Sequence, residues 1–298
     1  MPKEESAGRA ALLLGLVVVL WGINWPIMKV GLHYMPPLWF ALARVTLGAL
    51  TLVLLLVARG DLRLPSRGDL PILLSVGVVQ VGAFLALTHV ALLYVDSGRS
   101  AILAYTTPLW VAPLSAFFLG ERLAGLRLLA VGAGLAGVAV LFNPLAVNYR
   151  DHDVMLGNGL LMAAAFLWAL TIVHVRGHRW QATALQLMPW QLMLGAVVLL
   201  PLALLIEPNP KVVWGWPLAA VLAYNGPVAS AFCYSAFVAV NRVFSPTTTA
   251  VGSLGVPVVG VLAAAVALGE PLTVTKLAGL ALIATGVVLL SIAATRGR

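Results

Sequence analysis

Charged side chains are scarce in this sequence. Lys, Arg, Asp and Glu make up 9% of the 298 residues, whereas a soluble domain carries about 25%. Hydrophobic residues make up 61%, and the mean hydropathy is +1.02. The core of a soluble fold could not bury this much apolar surface, so lipid must surround most of the chain.

Reactive clusters are also lacking. Cys233 is the only cysteine, which excludes an intrachain disulfide framework. The five histidines are scattered, and the sequence shows no metal-ligand spacing, no Ser/His/acid set and no Gly-rich phosphate loop followed by Lys. These absences argue against a membrane enzyme and an ATP-driven pump, and we expect neither a cofactor nor a metal. The net charge of +8 comes from single basic residues between apolar runs, so we expect no nucleic-acid partner.

Ten runs are long and apolar enough to cross a membrane, which takes about 20 residues. They cover roughly 10–31, 36–58, 70–94, 98–119, 125–143, 156–176, 183–206, 216–240, 246–268 and 273–294. The first run has no convincing cleavage site and is therefore predicted to be an uncleaved helix. The predicted fold class is an all-α integral membrane protein with ten transmembrane helices and the lipid bilayer as its surroundings.

The basic residues predict the orientation. With a cytoplasmic N-terminus, twelve lie on the cytoplasmic side and five on the other. The twelve are Lys3, Arg9, Arg59, Arg63, Arg67, Arg122, Arg127, Arg176, Arg179, Arg242, Arg296 and Arg298, and the five are Lys29, Arg99, Arg150, Lys211 and Lys276. The positive-inside rule then places both termini in the cytoplasm of a bacterial-type inner membrane.

The two halves of the chain are similar. Ala101–Leu141 aligns without a gap on Ala250–Leu290 at a shift of 149 residues, with eleven identities that include a Pro, a Gly-Glu pair and a late Gly. Trp21 aligns on Trp168 at a shift of 147. We interpret this as a duplication, with one repeat at 10–143 and the other at 156–294.

Five spans in each half give the repeats opposite orientations. Inverted repeats are typical of transporters, in which the substrate binds near the midplane and the halves exchange conformations by alternating access. A duplication that merely builds a larger bundle is the alternative interpretation.

Two segments carry a family resemblance. The run Ala91–Ala101, Pro108 and Leu119–Leu123 resembles the EamA-type repeat of the drug/metabolite transporter superfamily. The second copy comprises Val240–Arg242, Ser245–Ala250, Pro257 and Leu268–Leu272. The resemblance covers nearly the whole chain, and within the family it is strongest to YddG-like exporters of aromatic amino acids.

The resemblance implies a ten-helix exporter with a cavity lined by the first, third, fourth, sixth, eighth and ninth helices. Arg44 matches a basic residue that the family often has in its second helix. Phosphate sites lined by Lys and Arg, as in the sugar-phosphate branch, are not evident, which argues against phosphorylated substrates.

We select candidate substrate-binding residues on these helices because they would be unfavourable against lipid. On the first helix Trp21, Asn24 and Trp25 share a stripe with Met28 at helical spacing. An interfacial tryptophan belt is the alternative for Trp21 and for Trp168. The complete set is Trp21, Asn24, Trp25, Gln80, Phe84, Thr88, Tyr105, Trp168, Tyr224, Asn225 and Ser253.

Two prolines are candidate hinges. Pro108 and Pro257 each free a backbone carbonyl one turn earlier and favour a kink, which could serve a gate or a static bend. Arg44 and His89 are candidate charge contacts, because a titratable group in a span marks a functional site by default. The alternatives are that Arg44 snorkels or binds helix-end carbonyls, and that His89 makes an interhelical hydrogen bond.

The predicted function is export of small amphipathic metabolites, above all aromatic or hydrophobic amino acids. A broader drug or metabolite exporter, with or without proton coupling, is the alternative, and a membrane-embedded enzyme is the reading least favoured. No Asp or Glu lies deep in a span, so a facilitator is at least as well supported as a proton antiporter. Small residues in the fifth and tenth spans, Gly137 and Gly286 among them, would suit packing within the chain or a homo-oligomer.

Overall fold

The chain forms a bundle of ten helices. The computed structural model describes residues 2–121, 124–142, 150–269 and 271–296. The helices are α1 (Pro2–Gly31), α2 (Pro37–Ala58), α3 (Arg67–Tyr94), α4 (Ser97–Leu119), α5 (Leu126–Phe142), α6 (His152–Gly177), α7 (Ala184–Ile206), α8 (Trp216–Val243), α9 (Pro246–Leu268) and α10 (Val274–Arg296). Eight of these contain a stretch long and apolar enough to cross a membrane, and α5 and α10 contain shorter apolar stretches.

The ten predicted helices are therefore confirmed, eight of them with a stretch long and apolar enough to span a membrane, and the differences from the predicted bounds lie at the helix ends. α1 begins at Pro2 and α8 continues to Val243, because both helices extend beyond their apolar stretches. Several residues used in the sequence analysis lie outside the described residues, namely Arg122, Leu123, Glu270 and Arg298.

Local irregularities repeat in the two halves. α3 contains a π-helical segment at Ser75–Ala83 and α8 contains one at Tyr224–Phe232, which is the same segment shifted by 149 residues. α4 is interrupted between Ala104 and Pro108, and α9 between Gly252 and Gly255. Such matched irregularities are strong evidence of duplication, because π-helical turns are rare.

The ends of α4 and α9 also match. Gly120 and Gly269 follow these helices with φ of 66° and 69°. This left-handed conformation lets each glycine bond back to a helix carbonyl, and it strains any residue with a Cβ.

The packing has the symmetry of an inverted repeat. α2 packs on its own counterpart α7, and α5 packs on its counterpart α10. The contact of α1 with α9 is mirrored by that of α6 with α4, and the contact of α2 with α8 by that of α7 with α3. Because each half has an odd number of helices, the axis relating the halves lies in the membrane plane.

Glycines set the closest of these approaches. A Cβ at Gly48 would lie 2.9 Å from the Ser230 Cβ and 3.1 Å from the Gly226 carbonyl oxygen. In the other half, a Cβ at Gly195 would lie 3.2 Å from the Gly77 carbonyl oxygen. The contact of α2 with α8 in one half is thus equivalent to the contact of α7 with α3 in the other. In both contacts small residues allow the two helix backbones to approach closely.

Hydrogen bonds tie the loops at both ends of the bundle. At the predicted cytoplasmic end, the buried Asp69 carboxylate accepts from the N–H groups of Gln181 and Ala182, both at 3.0 Å, and lies 3.4 Å from His178. At the predicted external end, the Glu207 carboxylate accepts from the Leu38 N–H at 3.1 Å. Burial raises the pKa of Glu207, and its bonds to N–H groups of α2 oppose that shift.

The ends of α3 and α8 are tied by equivalent basic residues. Lys29 of α1 donates to the carbonyls of Leu92 and Val95. Arg176 of α6 donates to the Arg242 carbonyl at 2.6 Å. A cation at a helix C-terminus is favourable because the last carbonyls are unbonded and the dipole is negative there.

The α5–α10 contact generates a stability prediction. A Cβ at Gly137 would lie 2.7 Å from the Gly279 carbonyl oxygen, whereas nothing lies within 4 Å of a Cβ at Gly132. We expect Gly137→Leu to destabilise the protein by about 1–3 kcal/mol because the clash is with backbone. Thermal unfolding of the purified protein in detergent measures this, with Gly132→Leu as the matched control. Equal melting temperatures for the two variants would contradict the packing role of Gly137.

Candidate functional site

Five aromatic side chains meet in the middle of the bundle. The Trp168 ring centroid lies 5.5 Å from that of Trp21, 5.8 Å from Tyr234, 5.3 Å from Phe237 and 4.5 Å from Phe84. All five side chains are buried. We call these residues the aromatic cluster, and their tilted and edge-on contacts are the favourable geometries for aromatic rings.

The duplicated helices α1 and α6 position the two tryptophans. Trp21 and Trp168 occupy equivalent positions in the repeats and meet near the pseudo-two-fold axis. The indole N–H of Trp21 donates to the Ala229 carbonyl at 2.9 Å, in the π-helical segment of α8. The alternative of an interfacial belt does not fit either residue, since both are buried and in ring contact.

Sequence reasoning missed Tyr234 and Phe237. Tyr234 lies 5.3 Å from Trp21 and Phe237 lies 5.2 Å from it, measured between ring centroids. A signal was present, because Ser230, Tyr234, Phe237 and Asn241 follow one another at helical spacing and form a stripe on α8.

Three buried amides lie on the helices that surround the aromatic cluster. Asn24 of α1, Gln80 of α3 and Asn225 of α8 are 3%, 1% and 0% exposed. Among the described residues, no side-chain or backbone donor reaches their amide oxygens. The Asn225 amide nitrogen donates to the Val221 carbonyl at 3.0 Å. An unpaired oxygen in a buried site is costly, and it can accept a hydrogen bond from an ammonium or hydroxyl group of a ligand.

Arg44 lies inside the bundle and does not reach a helix end. Its Nε donates to the Ser230 hydroxyl at 3.1 Å, and its Nη1 lies 3.0 Å from the Met28 sulfur. The side chain is 2% exposed. Arg44 therefore bridges α1, α2 and α8, and the snorkelling alternative does not describe it.

His89 and Thr88 bond to their own helix, α3. His89 Nδ1 lies 2.8 Å from the Leu85 carbonyl oxygen, so this nitrogen carries the proton and the bond does not cross to another helix. Its Nε2 has no partner among the described residues, and its ring lies edge-on to Phe40. The Thr88 hydroxyl donates to the Phe84 carbonyl at 2.9 Å.

The interruption of α4 contains Tyr105 and leads to Pro108. Proline lacks an N–H, and the Ala104 carbonyl one turn earlier accepts instead from the Thr107 hydroxyl at 3.2 Å. Tyr105 is buried, and its hydroxyl is close enough to that of Tyr234 for the two groups to interact electrostatically. Pro108 thus begins a separate helical segment at the point where α4 approaches the aromatic cluster.

The interruption of α9 is the equivalent feature. Ser253 lies within it, and its hydroxyl donates to the Ala250 carbonyl at 2.7 Å. Pro257 is the third residue of the segment that follows, and the Ser253 carbonyl accepts from the Val256 N–H at 2.9 Å. Both predicted hinge prolines therefore lie beside real helix breaks.

The remaining predicted residues have structural partners. The Tyr224 hydroxyl donates to the Leu20 carbonyl at 2.7 Å and joins α8 to α1. Trp25 is buried where α1 approaches Gly260 of α9. In the part of the chain that the structure describes, no three His, Cys, Asp or Glu residues are placed to hold a metal ion.

The model of the EamA-like transporter family matches residues 8–143 and again residues 155–292. The "Uncharacterized transporter YvbV" of Bacillus subtilis is 30% identical over 97% of this chain and 93% of that protein. A "Probable amino-acid metabolite efflux pump" of Salmonella typhimurium is 31% identical over 91% of each chain. A "Probable terminal-alkyne amino-acid exporter" of Streptantibioticus cattleyicolor is 29% identical over 95% of this chain and 93% of that one.

A solved crystal structure shares the fold, with a TM-score of 0.74 over 96% of this chain and 98% of that chain, at 24% identity. The family model covers both halves of the bundle described above, and its two matches fall on the two repeats. The chain therefore belongs to the EamA-like transporter family and is an integral membrane transporter rather than an enzyme.

Proposed function

We propose that this protein exports small amphipathic metabolites, above all aromatic or hydrophobic amino acids, by alternating access. The observation that carries the proposal is the aromatic cluster, which lies where the two repeats meet. The surrounding helices carry buried amide oxygens that have no partner within the described residues. A binding site that is mostly apolar and has a few polar groups suits an amphipathic ligand, which has one apolar part and one polar part.

The chemistry of the cluster fits an aromatic or large aliphatic side chain. Its rings offer faces and edges for stacking, and burial of such a side chain is favourable in a dry site. The amide oxygens of Asn24, Gln80 and Asn225 can accept hydrogen bonds from an ammonium group. The names of the Salmonella and Streptantibioticus relatives, an amino-acid metabolite efflux pump and an amino-acid exporter, support the same substrate class.

The symmetry of the bundle supports alternating access. The aromatic cluster is buried, so a substrate must enter by separation of helices. Because the repeats are inverted, exchanging their conformations would open the opposite side. The breaks before Pro108 and Pro257 divide α4 and α9 at equivalent positions, where a change in backbone angles would move one helix segment relative to the other.

We place the protein in a cytoplasmic membrane with both termini in the cytoplasm. The support is the excess of basic residues on the face formed by 59–67, 176–183 and 242–246. Export then moves substrate from this face to the one that carries Glu207.

The first transport prediction concerns the substrate. In proteoliposomes without an ion gradient, labelled phenylalanine should move through the purified protein with saturation, and excess unlabelled tryptophan should block it. If flux requires an imposed proton gradient, the proposed substrate class stands, but the protein is a proton antiporter and not a facilitator. If no aromatic or hydrophobic amino acid moves under either condition, the proposed substrate class is wrong.

The second prediction concerns the aromatic cluster. Trp168→Leu removes four ring contacts and should lower phenylalanine flux at least about tenfold. Trp216→Leu is the matched control, since Trp216 is 81% exposed, and its flux should stay near the wild-type value. Size-exclusion chromatography and thermal unfolding check that both variants fold. Wild-type flux in a folded Trp168→Leu protein would remove the cluster from the site.

A further inference from the structure

Arg44 is a buried cation that the proposed function leaves without a role. Its guanidinium bonds to the Ser230 hydroxyl and the Met28 sulfur, which are neutral. A guanidinium has five N–H donors, and these two contacts occupy a minority of them. A buried charge with neutral partners is costly, whereas an apolar side chain of similar volume would pack here without that cost.

No acid in the described residues compensates Arg44. The groups that face it are Met28 from α1, His89 from α3, and Tyr224, Cys233 and Tyr234 from α8 together with Ser230. The ion pairs of the described residues join Asp61 to Arg63, Asp69 to His178 and Asp153 to His152. Glu207, which follows α7, accepts hydrogen bonds from backbone N–H groups at the start of α2 instead.

The aromatic cluster adjoins Arg44. Ser230, which accepts from Arg44, directly follows Ala229, whose carbonyl accepts from the Trp21 indole. Tyr234 packs against Trp21 and Trp168 and lies in the electrostatic field of Arg44. An anionic group at Arg44 and an aromatic group in the cluster can therefore belong to one small molecule.

The second repeat does not duplicate this cation. Gly48 and Gly195 are equivalent glycines, since they approach the equivalent carbonyls of Gly226 and Gly77. At the same register, four residues earlier, α2 has Arg44 and α7 has Gln191. Gln191 is also fully buried, but it is neutral. Only one of the two equivalent positions can therefore attract an anion.

We propose that Arg44 binds the carboxylate of the transported molecule, so that the substrates are carboxylates or zwitterions and not simple amines. This inference rests on the proposed function and narrows its substrate class. Arg is suited to the role because its planar fork matches the two oxygens of a carboxylate. The bound carboxylate takes the place of the Met28 sulfur, which is a weak acceptor.

A purely structural Arg44, which bridges α1, α2 and α8, makes a different prediction. It would stabilise the bundle without distinguishing ligands by charge. Ligand competition separates the two roles, because the compounds can be matched in shape and differ only in their charged groups.

The experiment compares three ligands against labelled phenylalanine flux in proteoliposomes. Unlabelled phenylalanine and 3-phenylpropionate, which both carry the carboxylate, should compete, and phenethylamine, which lacks it, should not. Arg44→Gln should raise the KM for phenylalanine by about 10- to 100-fold and abolish this discrimination. Arg44→Lys keeps the positive charge but loses the planar guanidinium, so its KM should lie between those of the wild type and Arg44→Gln.

Gln191→Met is the matched control at the equivalent position of the second repeat. It should leave unchanged the ratio of inhibition by 3-phenylpropionate and phenethylamine. Thermal unfolding of every variant checks folding, and the ligand series on the wild type needs no variant at all.

Each outcome decides the inference. If the wild type transports phenylalanine but phenethylamine competes as well as 3-phenylpropionate, or if folded Arg44→Gln keeps the wild-type KM, Arg44 is not the carboxylate receptor and the proposed function stands. If the wild type transports no aromatic or hydrophobic amino acid, with or without a proton gradient, the proposed function fails, and binding of 3-phenylpropionate to the detergent-solubilised protein becomes the test. If the wild type binds 3-phenylpropionate and Arg44→Gln does not, the anion site is supported. If both proteins bind it equally, or if neither binds it, the inference is overturned.

Discussion

The Ala104 carbonyl loses its helical donor at Pro108 and accepts from the Thr107 hydroxyl instead. Hydrocarbon offers no hydrogen bonds, so every polar group in the interior needs a partner within the chain. The same requirement explains why the Thr88 and Ser253 hydroxyls bond to backbone carbonyls of their own helices. The amide oxygens of Asn24 and Gln80 are among the buried atoms that have no partner within the described residues. Under the proposed function, a ligand would supply the donors that the chain does not.

Symmetry builds the bundle, and departures from it give the site its chemistry. The paired glycines, π-helical segments and helix breaks recur at fixed shifts, so the two halves share one backbone plan. Trp21 and Trp168 preserve the symmetry at the centre. Arg44 and Gln191 break it, as do Tyr234 and its equivalent Leu85. Under the two proposals, a substrate held between the halves would meet a tryptophan from each half and a charge supplied by one half.

Much of this could be predicted from the sequence. The composition indicated a membrane protein, and the apolar runs predicted ten helices. The shift of 149 residues aligned the Gly-Glu turns and the prolines of the two halves. The stripe on α1 correctly predicted the burial of Trp21, Asn24 and Trp25. The sequence did not predict the π-helical segments, which lie where α8 meets α2 at Gly226 and where α3 meets α7 at Gly77. Nor did it select Tyr234, since an aromatic residue in an apolar run has the same pattern whether it faces lipid or the centre.

The sequence by itself determined the number of helices, the duplication and the family, because these depend on hydropathy, on local turn chemistry and on residues in a fixed register. The tertiary structure decided which polar groups are satisfied and which are not. Asn24 and Thr88 are both buried polar residues in apolar helices. The Thr88 hydroxyl donates to a carbonyl of its own helix, whereas the Asn24 amide oxygen finds no donor within the described residues. Arg44 likewise acquires its meaning from neighbours on α1, α3 and α8, which are up to about 190 residues away in the chain and adjacent only after packing.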